Sequence, residues 1–151
     1  MTTTEKKKKI AVTMSERAPL KLDPDLWPLI ASADTHDGQV ECQANREWAI
    51  KVREHEDGRR VVYGWVRRGN GGMPIGYRGA SGGYLIEPQP VTDVEPRRDE
   101  AGELIGYQDG ATRTVPDEAA TIRAIRRVAG IIGDDHLGDE CIGDLPAEEL
   151  V

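Results

Sequence analysis

Two histidine–cysteine pairs are the only side chains of this sequence whose types could build a soft metal site. His36 precedes Cys42 by six residues and His136 precedes Cys141 by five. Tetrahedral zinc accepts two thiolates and two imidazoles, so folding could gather all four. Neither pair has the tight Cys-x-x-Cys or His-x-x-x-His spacing that presents ligands from one turn. The simpler expectation is a small buried cysteine and a surface histidine, with no metal and no cofactor. Catalysis asks for groups in mutual reach with tuned pKa values. Of the three histidines, His36 and His55 stand beside Asp-Gly turns, where exposure is expected. There is no Gly-x-Ser-x-Gly elbow and no His-Glu-x-x-His helix. Gly69-x-Gly71-x-x-Pro74 has proline where a dinucleotide fingerprint needs its third glycine, and the stretch lacks the Gly-Lys-Ser/Thr ending of a phosphate loop. The expectation is a chain that is not an enzyme.

Charge is more informative. Residues 134–151 carry Asp134, Asp135, Asp139, Glu140, Asp144, Glu148 and Glu149 with no base, and these seven acids equal the whole net charge of −7. Such asymmetry often marks an interaction surface, and its sign favours a basic partner. Glu140, Asp144 and Glu148 are four apart, so a continuous helix would line them on one face. The plain alternative is a solubilising helix that docks through Leu137, Cys141 and Leu145. Bases concentrate elsewhere. Residues 46–68 hold seven (Arg46, Lys51, Arg53, Arg59, Arg60, Arg67, Arg68) against four acids, and Tyr77-Arg78 follows. Arg53, Arg60, Arg67, Arg68, Tyr77 and Arg78 are therefore candidate nucleic-acid contacts. An overall pI near 5.0 opposes non-specific phosphate binding, and half-exposed hairpins commonly carry such bases.

The elements that must position these groups read as follows. Residues 1–17 look like a disordered polar tail with a Lys6–Lys9 run, and Met14 is a second possible start. That run precedes only Ile10, Ala11 and Val12, too short for a secretory signal, and no stretch approaches the roughly 20 apolar residues of a membrane span. A cytoplasmic location is expected, with two free thiols. Leu20-Lys21-Leu22 alternates like a strand. Asp23-Pro24 reads as a helix start with Leu26, Trp27, Leu29 and Ile30 on its apolar side. Residues 47–55 and 60–68 flank Asp57-Gly58, and a two-residue turn there would set Val52 opposite Tyr63, Ile50 opposite Trp65 and Trp48 opposite Arg67. Residues 69–83 form a Gly-rich loop before a strand at 84–87. A second hairpin runs from Val91–Val94 to Leu104–Tyr107 with its turn at 99–102. Ile122, Ile125, Val128, Ala129 and Ile132 predict a helix between Pro116 and Gly133, with Arg123, Arg126 and Arg127 on its other face. A short helix follows over about 136–145.

The runs Glu41–Asn45, Val52–Gly64 and Asp139–Leu150 resemble small acidic, uncharacterised proteins of proteobacterial plasmids, prophages and genomic islands. The similarity covers most of residues 14–150, apart from the Gly-rich loop and the second hairpin, and brings no active site, cofactor or substrate. It implies a genomic setting in which short acidic proteins often antagonise host defences, as anti-CRISPR and anti-restriction proteins do.

The expected fold class is α+β, a single domain over 18–151. An antiparallel sheet, with hairpin 47–68 central, is covered by one long C-terminal helix over about 116–132, and a short acidic terminal helix ends the chain. The expected function is a non-enzymatic interaction module that inhibits or regulates a basic protein or nucleoprotein complex through Asp134–Glu149. The alternative is a nucleic-acid-binding accessory protein using the basic hairpin and Gly-rich loop. An open sheet edge would also admit a homodimer.

Overall fold

The computed structural model describes residues 8–38, 44–70 and 80–147. The fold is α+β, with antiparallel sheets followed by two helices. Strands β1 (Ile10–Val12) and β2 (Leu20–Leu22) pair as a short ribbon. The strands β3 (Leu29–Gly38), β4 (Ala44–Glu54), β5 (Arg60–Asn70) and β6 (Ala80–Ile86) form a four-stranded antiparallel meander in that order. Among the described residues, strands β7 (Gln89–Arg98) and β8 (Leu104–Val115) pair only with each other. Helices α1 (Glu118–Ile132) and α2 (Asp135–Asp144) close the chain. Among the described residues three sheets therefore stand where one was expected, and two helices share the cover assigned to one.

Residues 60–66 of β5 are largely buried on both faces, and the β4–β5 turn decides which residue goes where. The His55 N–H donates to the Arg59 carbonyl and the Gly58 N–H to the His55 carbonyl, each at 2.9 Å. The loop is thus three residues long, with Gly58 at φ +94°, a conformation that costs glycine little. The expected two-residue turn is corrected, and the register moves by one. Val52 faces Val62, Ile50 faces Gly64 and Trp48 faces Val66. A one-residue shift flips a strand's side chains to the other face. Ile50, Val52, Val62 and Val66 consequently pack with Ile125, Val128 and Ile132 of α1 and Leu137 and Cys141 of α2. Val61 and Tyr63 turn the other way, onto Val12, Met14, Leu22 and Trp27.

Two further expectations are corrected. Residues 1–17 are not wholly a tail, because Ile10, Val12 and Met14, two apart, share one side of the chain and press it onto the sheet. Val12 and Met14 are buried, and Ser15 exchanges hydrogen bonds with Gly83 of β6. Asp23-Pro24 opens one turn rather than a helix. Leu26 and Trp27 donate to the Asp23 carbonyl, and Pro28 then disfavours helical backbone at Trp27 and leads into β3. Trp27 is buried while Leu26 is exposed. The Gly-rich loop is narrower than expected, since β5 runs to Asn70 and β6 begins at Ala80; residues 71–79 lie outside the described part.

The helix boundaries follow from their caps. The Asp117 carboxylate accepts from the Ala120 N–H, and Gly133 ends α1 in the left-handed region at φ +78°. The Asp134 carboxylate accepts from the Leu137 N–H to start α2. Gly138 lets α2 close on α1, because a Cβ there would lie 2.8 Å from the Ala129 Cβ.

Candidate functional site

The acidic C-terminal residues are largely tied into the domain. Asp134 caps α2 with one oxygen and accepts the Trp48 indole N–H with the other. Asp144 accepts the Ser32 backbone N–H at 2.9 Å, fastening the end of α2 to β3. Asp139 meets Arg126 at 3.1 Å, joining α2 to the basic face of α1. Glu140 meets His136 at 3.3 Å one turn away. Asp135 is exposed in the first turn of α2, where negative charge suits the helix dipole. The continuous row through Glu148 does not form, because α2 ends at Asp144 with Leu145 as its C-cap and Pro146 follows. Glu148 and Glu149 lie outside the described residues. What remains outward on α2 is Asp135, Asp139 and Glu140.

The expected basic set is also divided. Arg60 is buried, with its guanidinium donating to Glu54 at 2.8 Å and to Glu118 at 2.7 Å, which clamps β5 to the start of α1. Its strand position puts it on the helix side, so it is removed from any nucleic-acid surface. Arg53 donates to the Tyr63 hydroxyl at 2.9 Å and the Trp27 carbonyl at 3.0 Å on the other face. Arg67 is exposed on that same face and lies over the Trp65 ring. Tyr77 and Arg78, like the side chain of Arg68, lie outside what is described.

The surface that sequence reasoning missed is the β7–β8 hairpin. It is nearly all exposed, and Val94, Leu104, Ile105 and Tyr107 are 66%, 49%, 56% and 67% exposed. These are four of the seven large apolar residues exposed among the described ones. In the register, Pro96 faces Tyr107 and Val94 faces Asp109, which places Val94, Pro96 and Tyr107 on one side of the ribbon. With twelve residues in β8, the arm is about 40 Å long. Its tip repeats the geometry of the β4–β5 turn: the Asp99 N–H donates to Glu103, the Gly102 N–H donates to Asp99, and Gly102 sits at φ +81°. The Asp99 carboxylate accepts two further backbone N–H groups. Residues 89–115 hold six acids against three bases, and Asp99, Glu100 and Glu103 crowd the tip. At the root, Pro88 and Pro116 flank Gly58, where a Cβ would lie 3.0 Å from the Pro88 Cβ. The signal for this surface was present as apolar residues in a hairpin with no helix assigned to cover them.

No group of three or more metal-ligating side chains occurs among the described residues. His136 is exposed and Cys141 fully buried, so that pair does not converge. Burial, with the Asp144 carboxylate adding to it, pushes the Cys141 thiol up to about 12, which makes it a poor thiolate ligand or nucleophile. Cys42 lies outside the described residues. No described helix is long and apolar enough to cross a membrane. No family model matches the chain, and no curated protein or solved structure shows significant similarity to it.

Proposed function

We propose that the chain is a non-enzymatic interaction module of a bacterial mobile element. It inhibits or regulates a basic, nucleic-acid-handling protein or nucleoprotein complex, in the manner of anti-defence or anti-CRISPR proteins, and it takes hold through the β7–β8 arm. The observation that carries this reading is the arm itself, an acidic ribbon whose large apolar side chains stand in water. A two-stranded ribbon is marginally stable alone, and contiguous exposed apolar side chains favour burial against another surface. Full burial of one such side chain contributes about 1.5–3 kcal/mol. The acids around it match a basic partner and would steer its approach. Asp135, Asp139 and Glu140 on α2 form a second acidic patch of the same sign. The mobile-element setting rests on the resemblance of residues 41–45, 52–64 and 139–150.

A photo-cross-linker placed at Tyr107 tests this directly. In nuclease-treated bacterial lysate, a benzophenone amino acid at 107 should cross-link to a protein of high pI, and the yield should fall as salt rises. The same group at Arg123 on α1 should not capture that protein. Equal capture from both positions would remove the arm from the interaction.

A further inference from the structure

Four described bases, Arg59, Arg60, Arg113 and Arg126, meet a carboxylate. Lys51 and Arg67 form no ion pair with a described residue. Instead they lie over the Trp65 ring, at 5.4 and 5.8 Å from its centre, with Tyr63 stacked beside it at 6.1 Å. All four, with Arg53, line a cleft of about 660 Å³ between β4–β5 and the first strand, on the face away from the helices. Of the described lining residues three are cationic and none is acidic, and Ile10 and Val12 give the opposite wall an apolar character. Glu47, opposite Arg67 in the pairing, stands outside the lining. The Trp65 indole Nε1 is the one buried side-chain polar atom among the described residues without a hydrogen-bond partner. An unmet donor in a buried position costs roughly 1–3 kcal/mol, so its retention calls for a reason.

We infer that this cleft binds a nucleotide unit, either free or within a single strand, with phosphate oxygens between Lys51 and Arg67 and the base against Trp65, which the buried Tyr63 backs from the core. The volume is of the order that small-molecule sites have, and aromatic side chains backed by cations are how single-stranded bases are held without sequence readout. The cations supply the attraction that the acidic remainder of the chain opposes, so binding is expected to be tight only at low salt. Neither Arg60 nor the arm takes part, and the site can fail without affecting the arm.

Nuclear magnetic resonance on the full chain gives the test. Three tryptophans give three indole N–H signals, and Trp65→Phe identifies one of them. Adenosine monophosphate and a short oligothymidylate are titrated separately at low salt. The expected result is a saturable shift of the Trp65 indole signal. A shift with the mononucleotide alone assigns a free nucleotide, and a shift only with the oligonucleotide assigns a strand. Lys51→Ala with Arg67→Ala should weaken binding by about tenfold or more. For a strand, it should also lower the salt slope by about 0.7 for each cation removed. Arg113→Ala should change neither. Arg67→Gln alone, at an exposed position, serves if the pair disturbs the sheet. A Trp65 signal unmoved by both probes, or an affinity unchanged in a folded Lys51/Arg67 variant, overturns the inference.

Discussion

Asp134 shows how an acidic cluster is used by a fold before any partner meets it. It satisfies an orphan N–H of α2 and the Trp48 indole on the sheet. Asp134→Ala should therefore lower unfolding free energy by about 2 kcal/mol, an N-cap plus one side-chain bond. Asp135→Ala, with only the helix dipole to lose, should cost about 0.5 kcal/mol. Urea titrations of both variants check the contrast. Arg60→Ala should destabilise by about 2 kcal/mol, because Glu54 and Glu118 lose the guanidinium that joins β5 to α1. Cys141 makes a pH prediction. Its folded value is raised above the ordinary 9.0, so its stabilising effect is complete below about pH 9 and fades as pH climbs towards about 12. Between pH 8 and 10.5 the wild-type urea midpoint should fall further than that of Cys141→Ala. An equal fall would mean that the thiol ionises in the fold as easily as in water. The spacing of Leu137, Cys141 and Leu145 made the docking side of α2 legible in the sequence. The tasks of Asp134 and Asp144 were not, because their partners Trp48 and Ser32 lie 86 and 112 residues away along the chain.

At the scale of elements, one loop residue governed what could be foreseen. Asp57-Gly58 rightly indicated a hairpin, but the loop takes Glu56 as well, and each predicted cross-strand pair shifted by one. Because both faces of β5 are buried, its apolar run could not reveal the error. The long helix, its glycine stop and the second hairpin were legible because periodicity and turn chemistry agreed over many residues. The first strand was not, since three apolar residues amid polar ones carry little local signal. Gly138→Ala should be informative here. Alanine favours a helix by about 1 kcal/mol over glycine. The Ala129 side chain lies in the way, however, and overpacking costs about 1–3 kcal/mol, so the variant should be net destabilised in thermal melts. A gain in melting temperature would show that the helices can part at little cost.

Across the whole molecule, chemistry is sorted by face. Helices and the meander bury the main core, and the opposite face combines a basic cleft with its own small apolar cluster. The arm projects its acids and apolar side chains from a root braced at Gly58. Gln89 and Val115 are cross-strand partners at that root, so the arm can be excised and its ends joined by a short Gly-Ser linker without stretching the domain. The armless chain should keep the far-ultraviolet signature of its helices and unfold cooperatively, since little of the core belongs to β7 or β8. The decisive measurement is affinity capture from nuclease-treated lysate with the full chain and the armless chain side by side. A basic protein held by the full chain, released by salt and missing from the armless capture, is the predicted result. The same protein held equally by both chains would contradict the assignment of the interaction to the arm.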